Sequence, residues 1–284
     1  MFSMDYHELI SFNKPLSRFM NRDNVAILAV LTPRSSNSKE FTPICVGNTH
    51  LLFNTKRGDI KLAQLAHLFA EIDRIAIGDN YKLPVILCGD FNSTPFSPLY
   101  NFVTKGELHF DGLSKTIISG QDNSKSGANF VLEDRVFPLE LGLTHNCKWR
   151  NLVKNENEKP WLNHFRKNHN FNSNYNRHDT IDLTEEMERA GFLNHGLHLT
   201  SSYMHRFLDG IREITTCHDR ACSTVDYIFY SPGYNSRTER DQDQLWLSGV
   251  LSLLSEMDVQ QMGKLPNKSL SSDHLMLMSS FVLS

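Results

Sequence analysis

No stretch of this 284-residue sequence is apolar for anything near the roughly 20 residues that a membrane-spanning helix needs. The first ten residues include Asp5, His7 and Glu8 and lack the apolar core of a secretory leader. Charge of one sign is missing too. Twenty-nine Lys and Arg stand against 32 Asp and Glu, a formal net charge of −3, so no global basic field announces a nucleic-acid partner and any such binding has to be local. Cysteine is sparse and odd in number, five in all, which argues against the paired framework of a small secreted domain. These shortages predict a protein inside the cell, in cytoplasm or nucleus, with no membrane partner. What is present suffices for a sizeable core: 40% hydrophobic and 10% aromatic residues, at a length that fits one large α/β domain or two small ones.

The stretch Leu87-Cys88-Gly89-Asp90-Phe91-Asn92-Ser93-Thr94-Pro95 organises the reading. The apolar run Val85-Ile86-Leu87 predicts a buried strand that stops at Gly89, with Cys88 a reduced core thiol. Asp90 and Asn92, two apart on an extended chain, point the same way and can share one cavity. A carboxylate that takes a proton from water, beside an amide that holds a phosphate oxygen or the nucleophile, suits phosphate ester hydrolysis. The plain alternative is turn chemistry after a strand.

Upstream, Tyr6 to Phe12 and Val25 to Leu31 read as strands, the second apolar enough to be buried on both faces. Ile44-Cys45-Val46 opens another strand, whose end carries His50; taken alone, that histidine reads as a core residue. From Asp59, a plausible N-cap, Leu62, Leu65, Phe69, Ile72 and Ala76 recur at helical spacing. The unit from Ile44 to Leu87 is then β-α-β, which puts His50 and Asp90 on one sheet edge if the strands are parallel. A second helix is expected from Ser97-Pro98 to Lys105, stopped by Gly106. Between Asn146 and Asn176 stand ten asparagines, too polar a segment to fold alone, so it reads as an insertion or disordered loop. Its His164, His169 and His178 read as solvated, and its basic residues with Trp149 and Trp161 as a charged loop. Leu199 to Phe207 reads as a short helix or extended segment. Cys217-His218 and Cys222 lack a second ligand pair and are not a zinc site. Thr224 to Tyr230 is a strand interrupted by Asp226, a carboxylate that needs a partner. His274, in Ser272-Asp273-His274 before a closing strand Leu275 to Met278, is that partner, and the pairing favours the imidazolium.

Four stretches now stand in order: Gly47-Asn48-Thr49-His50-Leu51, Gly89-Asp90-Phe91-Asn92, Thr224-Val225-Asp226-Tyr227 and Ser272-Asp273-His274. Together they resemble the endonuclease/exonuclease/phosphatase superfamily, in the branch with nocturnin and the mRNA deadenylases. Asn21-Arg22-Asp23-Asn24-Val25, Arg57 to Leu65 and Thr215-Thr216-Cys217-His218 bring the likeness nearer to the Angel group. The resemblance implies an α/β fold of two packed mixed sheets flanked by helices, a four-layer sandwich. It implies that Asp90 activates or orients the nucleophilic water and that Asn92 holds it or the scissile phosphate. His274 would stabilise the developing negative charge with Asp226 orienting it, His50 would contact the phosphate, and Asp273 would assist Mg²⁺. The implied partner is RNA at its 3′ ends; no protein partner is indicated.

The sequence departs from the family pattern at Met276, where proline is usual, and at its front. No Asn-bearing strand followed by Leu-Gln-Glu, whose Glu is the family's principal metal ligand, precedes Leu51. All 284 residues are therefore expected to be the C-terminal portion of one such domain, truncated on its N-terminal side, with a polar asparagine-rich insertion at about 145–190. Three functions stay open: removal of 2′,3′-cyclic phosphate from RNA ends, poly(A) shortening, and an inactive RNA- or partner-binding fragment. Lacking that Glu, the chain expressed alone is expected to bind Mg²⁺ poorly, to be prone to aggregation and to show little or no phosphoesterase activity; if it proved active, Glu8 would be the first substitute ligand to examine.

Overall fold

The computed structural model describes residues 1–14, 17, 20–34, 42–78, 81–121, 131–132, 135–150, 191–219, 221–233 and 244–284. Strands β1 (Phe2–Ser11), β2 (Val25–Pro33), β3 (Ile44–His50) and β4 (Val85–Asp90) are joined, between the last two, by helix α1 (Gly58–Ala76). Helix α2 (Pro98–Lys105) follows, then β5 (Glu107–His109), β6 (Phe192–Asn194), β7 (Thr200–Ser201), β8 (Thr216–His218), β9 (Ala221–Ser223) and β10 (Asp226–Tyr230). The chain closes with β11 (Leu245–Val250), a short helix α3 (Glu256–Gln261) and β12 (Ser279–Leu283).

One mixed sheet has the order β1-β2-β3-β4-β10-β7, and β3 and β4 are its parallel pair. Side chains alternate across it. Ala26, Leu28, Val30, Cys45, Val85, Leu87, Tyr227 and Phe229 belong to the main buried core, together with the apolar residues of α1 and α2. On the opposite face the two-stranded sheet β11–β12 packs through Leu245, Leu247, Phe281 and Leu283 onto Ile44, Val46, Ile86 and Tyr230. A cavity of about 310 Å³ opens there, lined by Phe2, Pro33 and Ile86 among others.

Helix α1 is buried nearly all round, as a helix between a sheet and further chain must be. The buried Asp59 is accordingly partnered: Arg57 grips it with paired hydrogen bonds of 2.9 and 3.0 Å, and Lys115 stands 3.6 Å from the same carboxylate. Asp59 consequently lies inside the first turn, and the N-cap is Arg57, two positions earlier than the sequence suggests. The predicted α2 is present with Ser97 capping it through Tyr100 N and with Gly106 left-handed at its end.

Three expectations need correction. Strand β2 is not buried on both faces: Val25 and Ile27 are exposed while Ala26, Leu28 and Val30 are buried, because α1 and α2 pack on the side of the latter. Residues 275–278 do not form the closing strand, which begins at Ser279; Leu275 N–H instead binds Thr215 O at 2.7 Å. Cys88 is a free thiol but only half-buried, since it too points to the less covered face. Cys217 and Cys222 sit opposite each other in the β8–β9 hairpin and form a disulfide. Most of the asparagine-rich insertion, with His164, His169, His178 and Trp161, lies outside the described residues. Its described beginning is packed: Cys147 is buried and Trp149 meets His67 edge-on, ring centroids 5.2 Å apart.

Candidate active site

Strand register assembles the site. His50 is the partner of Asp90 across the parallel β3–β4 ladder, and Asp226 is the partner of Asp90 across the antiparallel β4–β10 ladder. Residues paired across a ladder share a face, so three side chains from three neighbouring strands line up in one row. His50 Nε2 lies 3.4 Å from Asp90 Oδ2. Gly89 makes this close approach possible: a Cβ there would stand 1.9 Å from Thr49 O.

His274 comes from a loop held by the β8–β9 hairpin and the segment leading into it. Thr216 donates its hydroxyl to Asp273 O at 2.8 Å, and Thr215 Oγ1 accepts from Asp226 N–H at 3.2 Å. One pair of adjacent threonines thus ties both halves of the dyad together. His274 Nδ1 donates to Asp226 Oδ2 at 2.8 Å, which leaves Nε2 for a ligand. That hydrogen bond raises the His274 pKa above its ordinary value against the opposing effect of burial, with help from the charges of Asp226, Asp90 and Asp273. The Asp90 carboxyl is also raised, first by burial and then by the charge of Asp226, while the Asn92 N–H and the two histidines pull it back.

Asn92 is almost fully buried, and its backbone is left-handed, φ 45°. Its N–H donates to Asp90 Oδ1 at 2.8 Å and its side-chain amide to Leu51 O at 3.0 Å. It therefore braces the loops that leave β3 and β4. Ligand atoms of Asp90, Asp226 and His274 all lie within 4.8 Å of one another. Two carboxylates this near repel each other, which adds to burial in raising the Asp90 pKa, and a divalent cation would relieve that repulsion. Asp273 stands outside the group with an exposed side chain. Glu8 is turned to the helix-covered face, where it pairs with Arg74 and Tyr6. It is on the wrong side of the sheet to reach this row.

A sequence profile of the Endonuclease/Exonuclease/phosphatase family matches residues 5–274. The chain belongs to this family. Protein angel homolog 2 of Danio rerio is 39% identical over 279 residues, which cover 93% of the chain and 44% of that protein. The human protein of the same name is 38% identical over 282 residues, 96% of the chain and 50% of that protein. The chain thus spans about half the length of the curated relatives it matches. A crystal structure of ANGEL2, a 2′,3′-cyclic phosphatase, in complex with adenosine-2′,3′-vanadate superposes with a TM-score of 0.77 at 37% identity. It covers 99% of the chain and 67% of that structure's chain. The two-sheet α/β fold is the one this family member has.

Sequence reasoning missed residues that support the row. Lys61 is fully buried, and burial lowers its pKa to about 7, with the charge of Asp90 acting in the other direction. Its signal was available: 61, 65, 68, 72 and 75 fall on one helical stripe, and a lysine there interrupts an otherwise apolar face. Tyr227, whose hydroxyl donates to Ser93 O at 2.7 Å, was read only as strand.

Proposed function

We propose that this site hydrolyses phosphoesters at the 3′ ends of RNA, and that its substrate group is the 2′,3′-cyclic phosphate. The row His50–Asp90–Asp226, completed by the 2.8 Å Asp226–His274 bond, is the observation that carries the reading. Asp90, its pKa lifted by burial, accepts the proton of an attacking water as the water oxygen bonds to phosphorus and one ribose oxygen leaves and takes a proton from solvent; a second water cleaves the remaining ester bond in the same way, which releases phosphate. His274, held as imidazolium by Asp226, presents Nε2 to the phosphoryl oxygen on which negative charge grows. His50, exposed at the mouth of the site, contacts a second phosphate oxygen. Asn92 keeps the Asp90 turn in place. In this reading the carboxylates of Asp90 and Asp226 would hold a divalent cation, Mg²⁺, without the Glu that the family pattern places upstream, and the ion would supply electrostatic stabilisation of the phosphoryl group.

The cyclic phosphate is preferred over poly(A) because of the 37% identical ANGEL2 structure, which holds an adenosine-2′,3′-vanadate. The test compares an oligoribonucleotide ending in 2′,3′-cyclic phosphate with an oligo(A) ending in 3′-hydroxyl, each with Mg²⁺ and with EDTA. Loss of phosphate from the first, abolished by EDTA and by Asp90→Ala, is expected. Shortening of oligo(A) alone assigns the deadenylase activity instead, and no turnover of either leaves a binding protein.

A further inference from the structure

The loops that leave β3 and β4 meet two polar residues one helical turn apart on α1. Gln64 Oε1 accepts the Leu52 N–H at 3.0 Å, at the end of β3. Lys61 Nζ donates to Asn92 O at 2.6 Å, just beyond the end of β4. Its second partner is Gln121 Oε1 at 2.8 Å. The whole Lys61 side chain is sealed from solvent, where an ammonium is costly unless its protons are used. The turn it reaches is unusual, since Asn92 is a non-glycine residue in the left-handed region, a conformation that persists only where its surroundings fix it. Those surroundings are a series of clamps. Phe91 N–H binds Val225 O at 2.9 Å, Asn92 O takes Lys61, Ser93 O takes the Tyr227 hydroxyl, and Thr94 N–H binds Ser119 O at 2.8 Å. Of these, Lys61 alone can carry a charge, and it acts on the residue whose N–H orients Asp90.

We propose that Lys61 is a positioning residue of the hydrolytic site, its buried ammonium fixing the carbonyl of Asn92 and thereby the turn that aims Asp90. The inference rests on the phosphoesterase reading for its effect on turnover, and on the hydrogen bonds alone for its effect on the turn. Two measurements separate these. Lys61→Met keeps most of the side-chain length and removes every donor, so amide hydrogen exchange at Asn92 should quicken about tenfold or more while amides of β2 stay unchanged. With the cyclic-phosphate oligonucleotide, kcat should fall about 10- to 100-fold with KM within about twofold. Lys61→Arg, which keeps donors, should recover part of kcat. An Asn92 amide that exchanges at the wild-type rate in Lys61→Met overturns the proposal whatever the activity, and so does a quickened amide with unchanged kcat. If the wild-type chain does not turn the substrate over, the phosphoesterase reading falls and the exchange rate alone decides whether Lys61 holds the turn. Should Lys61→Met not fold, Gln121→Ala removes the ammonium's other anchor; it should quicken Asn92 exchange about threefold, and an unchanged rate there overturns the proposal.

Discussion

The two faces of the six-stranded sheet differ in what they do with the same kind of residue. Under α1 and α2, Leu28, Val30, Leu87 and Phe229 are sealed into the main core. On the other face Phe2, Met4, Leu9, Val25 and Ile27 are exposed, and among the described residues the β11–β12 ribbon covers the region around Ile44, Ile86 and Tyr230. His50, Asp90 and Asp226 lie on this second face, at one end. Charged groups stay near water on the less covered side, where desolvation is partial and a substrate can enter. The helix side supplies the rigidity, and Lys61 and Gln64 reach from it to the loops of the site.

The comparison can be broken most sharply at Asp90. Asp90→Ala should lower phosphoester hydrolysis by about 10³-fold and leave the urea midpoint nearly unchanged. A large loss of stability would mean that this row belongs to the core after all. On the helix side the pattern should invert. Phe229→Ala, deleting a ring that stacks at 5.0 Å against Tyr227 and meets Phe91 edge-on, should cost about 3–5 kcal/mol in urea unfolding.

The electrostatics of the row offer a subtler probe. Asp226→Asn removes the hydrogen-bonded charge that raises His274 and the neighbouring charge that raises Asp90, so both should titrate at lower pH in metal-free protein. Proton NMR of the His274 ring reads this directly; an unmoved His274 would show that the 2.8 Å pair carries no charge coupling. The sign for stability follows. A raised His274 stabilises the fold fully below about pH 6.5, and that contribution fades as pH rises through the folded value. The difference in urea midpoint between the wild type and His274→Gln should therefore shrink from acid to alkaline buffer. The smallest effect is expected at Ile27, exposed opposite Leu9. Ile27→Thr should change stability by no more than about 0.5 kcal/mol, and a larger loss would reveal cover on this face.

Much of this was legible in the sequence where local signals agreed. The run Val85 to Asp90, the stripe of α1 and the Ser97–Gly106 bounds of α2 each had pattern and punctuation pointing one way. The row of site residues was legible because each ends or begins a strand. What failed had a non-local cause. An apolar β2 does not state which of its faces a helix will cover. Arg57 outcompetes Asp59 as the cap position because its guanidinium holds that carboxylate, with Lys115 behind it. Strand β11 is interrupted by a register shift between Leu247 and Gly249, so it shows no clean alternation. Helix α3 spans only six residues, too few for a stripe, although its Ser255–Asp258 capping box was there to be read.

The placing of His50, Asp90 and Asp226 at strand termini has a consequence for how such a protein can change. Their mutual distances are set by ladder pairing, and the segments between them enter through their end points and through a few bracing residues such as Lys61, Asn92 and Thr215. Of the 135 positions between Asp90 and Asp226, the loop positions away from these braces can lengthen, shorten or change composition, provided that β4 and β10 keep the same alignment. A single-residue slip of either strand, by contrast, would turn its carboxylate to the helix side. Tolerance in this architecture is thus topological. Whole loops are interchangeable, whereas one inserted residue within a strand is not.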